Sequence, residues 1–407
     1  MKIAKEIIPR KKYVNAVVPF IGQQLIKVIS GQRRVGKSYL LFQLMEYLRE
    51  VKEDPRILYI NMEDLDFSFL KNERDLHSYV LDEWGGKGRC YVFIDEVQDI
   101  ENFQTALRSL LLNENLDIYC TGSNANLLSA DIAGVLSGRY IEFTVYSLSF
   151  REFLEFHGLR NEVESLEAYM KFGGLPYLKH LPLEDEVVFE YLKNIYCAIV
   201  YRDIVNRYNI RNTNFLERLV QFMASNTGSL FSAKSISDFL RKEKVKMAPN
   251  QVQQYLTHLT NAFVLSRVER YDIKGKRVFE TGEKYYFENI GIRNAIWGYR
   301  LEDREKIVEN LVYSHLLYLR YEVKVGVLPR GEVDFVASRK GETVYVQVAL
   351  KLLHQETIER EFGNLLSIPD NHPKLLVTLD PYSGASVKGV KVVPLREFLS
   401  MEELVGW

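Results

Sequence analysis

The fold is decided by a stretch near the start of the chain, LIKVISGQRRVGKS at residues 25–38. Residues 25–29 are mostly apolar and β-favouring and predict a strand, while residues 37–48 have the amphipathic pattern of a helix. Between them, residues 31–38 fit the spacing G-x-x-x-x-G-K-[ST]. A glycine-rich loop between a strand and a helix predicts an α/β fold with an anion-binding site at the helix N-terminus.

The residue types in this loop suit a triphosphate. Glycines let the backbone turn around phosphate oxygens, so that successive N–H groups point at them. Lys37 is predicted to reach the β and γ phosphates, and Ser38 to offer its hydroxyl to Mg²⁺. The alternative is a glycine turn that precedes a helix by chance. The residues predicted to contact ATP are Gly31, Gln32, Arg33, Arg34, Val35, Gly36, Lys37, Ser38 and Tyr39.

A second motif supports the first. The sequence YVFIDE at residues 91–96 is an apolar strand that ends in two acids. Asp95 is predicted to hold Mg²⁺ through its water shell, and Glu96 to orient and polarise the attacking water. The alternative is a pair of solvated acids at the start of a loop.

Two further residues are candidates for catalysis. Asn124 follows the strand predicted at residues 117–121, and its amide is predicted to sense the γ-phosphate, although a helix cap is the alternative. Arg139 is a candidate for supplying positive charge to the transition state, either in its own subunit or in a neighbouring copy. A homo-oligomer therefore stays open, and so does an ordinary surface role for Arg139.

Length and composition fit a soluble multidomain protein. A chain of 407 residues with 47% hydrophobic and 26% charged residues can bury two or three cores. No apolar run approaches the roughly 18 residues of a membrane span, and the start lacks a signal-peptide core, so we expect a cytoplasmic location and no membrane partner. Cys90, Cys120 and Cys197 lack metal-site spacing and are predicted to be buried and reduced.

Changes of pattern along the chain predict four segments. Residues 1–146 alternate strands and helices, as in a P-loop NTPase domain with a parallel sheet flanked by helices. Residues 147–212 are predicted to form a helical lid or connector, interrupted at FGGLP (residues 172–176). Residues 213–300 follow the winged-helix order of three helices and a ribbon, and residues 301–407 return to mixed α/β character.

The winged-helix segment could contact DNA or a protein. Residues 234–300 contain thirteen Lys or Arg against seven Asp or Glu, a difference of six positive charges. Base-edge contacts are predicted from the third helix, and phosphate contacts from the ribbon. The helix residues are Asn250, Gln251, Gln253, Gln254 and His258, and the ribbon residues are Arg267, Arg270, Lys274, Lys276 and Arg277.

Several stretches resemble one family over almost the whole chain. They are GQRRVGKS (31–38), YVFIDEVQ (91–98), TGSNANLLS (121–129), SGRYIEF (137–143), YSLSFREFLEF (146–156), FGGLPYL (172–178), KYYFENIGIRNA (284–295) and GEVDFV (331–336). The chain resembles prokaryotic AAA-type P-loop ATPases with a helical region, a winged-helix segment and a restriction-nuclease-like C-terminal α/β domain of unassigned function. The resemblance implies that another strand lies between the two nucleotide strands.

The resemblance also implies where nuclease chemistry would lie. Restriction-type nucleases hold Mg²⁺ with an Asp on one strand and a Glu two residues before a Lys on the next. Asp334 occupies the first position, with Glu309 as an accessory, but the second position carries Gln347 and Ala349. Lys351 lies two residues farther along the same strand face. We therefore predict a domain that keeps the fold, has lost efficient cleavage and binds DNA or protein.

The predicted function is hydrolysis of Mg-ATP at the P-loop, coupled to a conformational change that acts on DNA or a protein partner. Two alternatives stay open. One is a DNA nuclease under ATP control that cuts with the C-terminal domain. The other is a regulatory switch that binds ATP with little turnover, although the pairing of Asp95 with Glu96 favours hydrolysis.

Overall fold

The computed structural model describes residues 7–125, 134, 136, 138–275, 277–278, 282–350, 362–379 and 386–404. The chain divides into two units. The first comprises the residues through Tyr146 together with Asn261–Phe263, and the second comprises Ser147–Thr260 together with the residues from Val264 onward. No helix in these described ranges combines the length and the apolar composition that crossing a membrane requires.

The first unit is built on a parallel sheet with the strand order β2-β3-β4-β1-β5. Every residue of β1, β3 and β4 is buried, as strands covered on both faces must be. The strand β4 lies between β1 and β3, the order that the resemblance implies. The strands are β1 (Ile26–Ser30), β2 (Arg56–Asn61), β3 (Cys90–Asp95), β4 (Leu116–Gly122) and β5 (Tyr140–Thr144).

Amphipathic helices cover this sheet. In α2, Leu40, Leu44 and Leu48 are almost fully buried, since residues four apart share one face of a helix. The predicted α/β class, with a parallel sheet flanked by helices, is therefore confirmed. The helices of the first unit are α1 (Lys11–Val17), α2 (Lys37–Val51), α3 (Glu73–Trp84) and α4 (Phe103–Leu110).

The second unit begins with three helices, α5 (Phe150–His157), α6 (Val163–Phe172) and α7 (Asp185–Ala198), and α7 continues as a π-helix over Ile199–Asn206. The chain leaves α6 at Gly173, which has a φ of +71°. A Cβ at Gly173 would lie only 2.6 Å from the backbone nitrogen of Gly291, so this break in the helix requires glycine.

Three helices and a small antiparallel sheet follow. The sheet has the strand order β6-β10-β7. The hydroxyl of Ser232 accepts a hydrogen bond from the backbone N–H of Ser235 and caps the second helix. The elements are α8 (Thr213–Ser225), α9 (Ala233–Lys242), α10 (Pro249–Asn261), β6 (Leu230–Phe231), β7 (Leu265–Val268) and β10 (Glu283–Phe287).

The remaining strands form a mixed sheet with the order β15-β16-β14-β13-β12-β11-β8-β9. Helix α12 covers it and buries Leu311 and Leu316 in one core with Phe335 and Val346. The strands are β8 (Arg270–Asp272), β9 (Arg277–Val278), β11 (Glu322–Val327), β12 (Glu332–Arg339), β13 (Glu342–Ala349), β14 (Lys374–Thr378), β15 (Ser386–Val387) and β16 (Val390–Pro394), and the helices are α11 (Ile290–Trp297), α12 (Arg304–Tyr318) and α13 (Leu395–Phe398).

Two expectations differ from the structure. The ribbon predicted within residues 213–300 includes one long strand from Val264 to Tyr271, but the structure divides this run: β8 leaves the small sheet at Glu269 and pairs in parallel with β11. That pairing across more than 50 residues of chain overrides the local pattern. Cys90 and Cys120 are buried as predicted, but Cys197 is exposed, because it lies on the outward face of α7.

Candidate nucleotide-binding site

The predicted nucleotide residues meet at the carboxyl edge of the first sheet. Strand β1 pairs with β4 through Ser30 and Gly122, and β4 pairs with β3 through Cys120 and Ile94. Because all three strands are parallel, the residues that follow them emerge at the same edge. The sheet order therefore brings the loop after β1 beside Asp95 and Ser123.

The loop after β1 contains backbone conformations that favour glycine. Gly31 has a φ of +146°, and a Cβ there would lie 2.2 Å from the carbonyl oxygen of Val145. Gly36, with a φ of +98°, turns the chain into α2. Arg34 takes a φ of +71° as a non-glycine residue and is exposed, while Val35 is fully buried and anchors the loop.

Lys37, the first residue of α2, points back into the loop. Its Nζ donates hydrogen bonds to the carbonyl oxygens of Gly31 (3.0 Å) and Gln32 (3.1 Å). The same nitrogen lies 3.8 Å from Oε1 of Glu96, and only 4% of Lys37 is exposed. The ammonium group is thus held at the mouth of the loop by backbone and carboxylate oxygens.

Asp95, the last residue of β3, is 3% exposed. Burial raises the pKa of its carboxyl group, against the hydrogen bonds from Thr121 and Ser38, and the charge of Glu96 raises it further. The hydroxyl of Tyr59 also donates to Asp95 Oδ2, at 3.1 Å. The Ser38 hydroxyl and the Asp95 carboxylate are hard oxygen donors in contact with each other, which is the donor chemistry that suits Mg²⁺.

Glu96 follows with a left-handed backbone, at a φ of +56°. Its N–H donates to the hydroxyl of Thr121 at 2.9 Å, and Gln98 Nε2 donates to its carboxylate. Burial raises the pKa of Glu96, but the charge of Lys37, the Gln98 hydrogen bond and the charge of Arg33 outweigh it, so the pKa lies below its ordinary value. Glu96 is therefore ionised at neutral pH.

The other predicted site residues lie around this centre. Asn124 is fully buried just after β4, and Ser123 is almost fully buried beside it. Arg33 Nη1 lies 3.4 Å from Oε1 of Glu63, a residue after β2. Tyr39 is 43% exposed on the first turn of α2. Arg139 is exposed at the start of β5.

Sequence patterns missed two residues that shape the site. Arg10 is buried, and its Nη1 donates to the carbonyl oxygens of Val35 (3.1 Å) and Tyr146 (2.9 Å). It thereby ties the loop to the end of β5 from a position 25 residues upstream. Thr121 bridges the acidic pair, since its hydroxyl donates to Asp95 and accepts from the N–H of Glu96. The position of Thr121 near the end of β4 is the only sequence feature that points to this role.

The candidate nuclease residues Asp334 and Gln347 of the second unit lie close together, and both side chains accept hydrogen bonds from backbone N–H groups. Asp334 Oδ2 accepts a hydrogen bond from the N–H of Val348 (2.8 Å), and Gln347 Oε1 accepts one from the N–H of Asp334 (3.3 Å). Lys351 lies outside the described residues.

The candidate DNA-contacting residues on α10 separate into two groups. Asn250, Gln251 and Gln254 are exposed, but His258 is buried and stacks on Tyr208 with a ring separation of 3.8 Å, so its prediction as a base contact is wrong. The helix turns His258 toward the apolar side on which Leu259 also lies.

The candidate phosphate contacts differ in their charge pairing. Arg267 is paired with Glu269 (2.8 Å) and Glu283 (3.3 Å), whereas Lys274 is exposed. Lys276 and the side chain of Arg277 lie outside the described residues.

Comparison with known proteins agrees with the fold observed for the first unit. Residues 23–154 match a family model described as an AAA domain, and residues 163–303 match a domain of unknown function, DUF8612. An uncharacterized protein of Haemophilus influenzae is 35% identical over 405 residues, which cover 98% of this chain and 100% of that protein. The chain belongs to the family of that protein and carries an N-terminal AAA domain of the P-loop type.

More distant similarities reach archaeal proteins. An uncharacterized protein of Methanocaldococcus jannaschii is 27% identical over 326 residues, 76% of this chain and 71% of that protein. A solved structure of the Aeropyrum pernix ORC1 protein in complex with DNA is 12% identical, covers 76% of this chain and 96% of that chain, and has a TM-score of 0.35. A similarity this low carries no argument about function.

Proposed function

We propose that this member of the AAA-domain family binds Mg-ATP in the loop from Gly31 to Tyr39, hydrolyses it, and couples hydrolysis to a conformational change that acts on DNA or a protein partner. The observation that carries the proposal is the convergence of the Lys37 ammonium, the ionised Glu96 carboxylate and the Ser38–Asp95 pair at one sheet edge. A chance glycine turn would not require this arrangement.

Each group has a defined task in binding. The loop backbone N–H groups and the N-terminus of α2 bind the phosphate oxygens, and Lys37 moves from its carbonyl partners to the β and γ phosphates. Ser38 and Asp95 would hold Mg²⁺, and the ion would supply positive charge beside the phosphate oxygens. Arg33, beside Glu63, adds positive charge at the mouth of the loop.

Glu96 is the residue that makes this site hydrolytic in our proposal. Its lowered pKa keeps the carboxylate ready to accept a hydrogen bond from water, and the Thr121 hydroxyl fixes its backbone. Asn124 positions the water or senses the γ-phosphate. Arg139 is exposed and so remains available either to its own subunit or to a neighbouring copy.

In this proposal, the second unit binds the partner and does not cut DNA. Gln347 stands where an acidic metal ligand would be, and Asp334 Oδ2 is already bonded to the backbone of Val348. The exposed amides of Asn250, Gln251 and Gln254 and the exposed Lys274 fit contacts with DNA or protein.

Replacing Glu96 with Gln separates binding from hydrolysis. The full-length E96Q chain should bind Mg-ATP with near wild-type affinity and release phosphate roughly 10² to 10⁴ times more slowly, the usual contribution of a positioned general base. Phosphate release and fluorescent-ATP binding are measured side by side, with Glu46→Gln on the exposed face of α2 as the matched control. Undiminished turnover in E96Q would remove Glu96 from the chemistry and favour the regulatory-switch alternative.

A further inference from the structure

The loop after β1 is hydrogen-bonded to a turn from much later in the chain. Gln32 is 1% exposed, and its Nε2 donates to the carbonyl oxygen of Phe263 at 2.6 Å, across 231 positions of sequence. Asn261–Phe263 connect α10 to β7, and they belong to the first unit although the residues on either side belong to the second. The contact therefore joins the nucleotide loop to the residues that end α10.

This turn has a backbone conformation that usually requires glycine. Phe263 has a φ of +54°, and the N–H of Val264 donates to the carbonyl oxygen of Leu259 at 2.9 Å, as in a Schellman helix end. Ala262, between them in the chain, is 1% exposed. A left-handed backbone at a bulky residue costs free energy and persists only where its surroundings hold it. The hydrogen bond from Gln32 is one of the contacts that hold it.

Gln32 also contacts the group that is proposed to bind phosphate. Its carbonyl oxygen accepts a hydrogen bond from Lys37 Nζ at 3.1 Å, so one residue holds the ammonium through its backbone and the turn through its side chain. Its Oε1 is buried and has no hydrogen-bond partner among the described residues. An unpaired buried oxygen lowers stability, so fold stability alone does not account for an amide at this position.

We infer that Gln32 is a positioning residue that couples the phosphate site to α10. When Lys37 leaves the Gln32 carbonyl for the triphosphate, the loop backbone changes, and the Gln32 amide passes that change to the turn at Phe263. The inference rests on the proposed function, because it takes ATP as the ligand of the loop. It names the route by which nucleotide binding reaches the helix whose exposed amides are the proposed partner contacts.

The direction of the effect follows from how phosphate orders a loop. Bound phosphate oxygens accept hydrogen bonds from the loop N–H groups, so the backbone at Gln32 loses freedom. A side chain on an ordered backbone anchors its partner more firmly. The end of α10 and the turn after it should therefore open less often, and their backbone amides should exchange with solvent more slowly when nucleotide is bound.

Hydrogen–deuterium exchange of the full-length chain tests this coupling. The probe is the non-hydrolysable analogue adenosine 5′-(β,γ-methylene)triphosphate with Mg²⁺, added at a concentration that saturates each protein's own site. In the wild type, the analogue should slow exchange over residues 256–264 by at least about 5-fold, the lower range of allosteric coupling. Gln32→Met keeps a side chain of similar length but removes the donor, so it should lose this slowing.

Two further variants assign the effect to the contact with Phe263. In the matched control, Gln24→Met, the lost hydrogen bond also runs from a glutamine Nε2 to a backbone carbonyl, that of Leu111 at 3.0 Å. Gln24 precedes β1 and lies outside the loop, so this control should keep the full response. Gln32→Asn keeps an amide that is one methylene shorter, and it should behave like Q32M.

The inference is overturned if Q32M shows the same slowing as the wild type while both bind the analogue. Wild-type protein that binds the analogue without any change over residues 256–264 would also overturn it. If both Gln32 variants fail to fold, Gln32 is a structural residue and the coupling role is lost. Fluorescent-ATP binding is measured on the same samples: absence of binding in the wild type removes the proposed function itself, so the two failures are distinguished.

Discussion

The Lys37 ammonium lies 3.8 Å from the Glu96 carboxylate, so an ion pair joins the loop after β1 to the end of β3. The pair is almost completely buried, with side-chain exposures of 4% and 10%. In our proposal, Lys37 contacts the triphosphate and Glu96 contacts the attacking water. Since the ammonium is also bonded to two loop carbonyls, nucleotide binding has to exchange these partners for phosphate oxygens.

Gly31 should be irreplaceable for the shape of the loop. An alanine there places Cβ at 2.2 Å from the Val145 carbonyl oxygen and adopts a φ of +146° that L-residues avoid. We expect Gly31→Ala to lower the free energy of unfolding by about 3 kcal/mol and to abolish nucleotide binding. Denaturant unfolding measures this, with Gly363→Ala, where a Cβ meets nothing within 4 Å, as control. Equal stability of the two variants would contradict the prediction.

Arg10 should support the loop from outside the motif. Replacing it with Ala leaves the carbonyl oxygens of Val35 and Tyr146 without their charged donor, at a cost of about 2 kcal/mol. We expect a lower melting temperature and weaker ATP binding, while Lys11→Ala, an exposed neighbour on α1, should change neither. An Arg10→Ala variant with unchanged ATP affinity would show that the loop holds its shape without this support.

Thr121 should act by positioning the two acids. Thr121→Val keeps the shape and removes the hydroxyl that joins Asp95 to the N–H of Glu96. We expect kcat to fall roughly 10- to 100-fold, with a smaller change in KM, because an unpaired buried group costs about 1–3 kcal/mol. Thr121→Ser should restore most of the activity. If the valine variant turns over as fast as wild type, the bridge has no part in catalysis.

DNA binding has a distinct signature. If DNA is the partner, the affinity of the full chain for duplex DNA should fall linearly on a log–log plot against salt concentration. Lys274→Ala should reduce the slope by about one, since one phosphate contact is lost. Fluorescence anisotropy measures this, with Lys52→Ala, an exposed lysine of the other unit, as control. A salt-independent affinity, or none, would instead favour a protein partner.

The candidate nucleotide-binding residues could be predicted from the sequence because their chemistry is local. The glycine loop lies directly between a strand and a helix, and the acids end a buried strand, so residue order alone places Lys37, Asp95 and Glu96. The position of β4 between β1 and β3 came from the resemblance, because residue pattern does not determine strand order. Thr121 could be found only as a residue at the end of β4.

Residues that act across long chain separations could not be predicted. Arg10 reaches Tyr146 over 136 residues, and nothing in its local sequence, IPRKK, indicates that its guanidinium is buried. Lys284 and Asp334 likewise meet through tertiary packing alone. The prediction for His258 is wrong because residue type does not reveal which face of α10 a side chain occupies, and burial depends on that face.

The most direct test of the nucleotide site is ATP binding and phosphate release by the full-length chain and its Lys37→Ala variant, with Lys52→Ala at the exposed end of α2 as control. We predict that wild type and the control bind Mg-ATP and release phosphate. The Lys37→Ala variant should bind at least about 10-fold more weakly, because charge-assisted hydrogen bonds to phosphate are lost, and should show no release above background. Equal binding and turnover in Lys37→Ala and wild type would contradict the assignment.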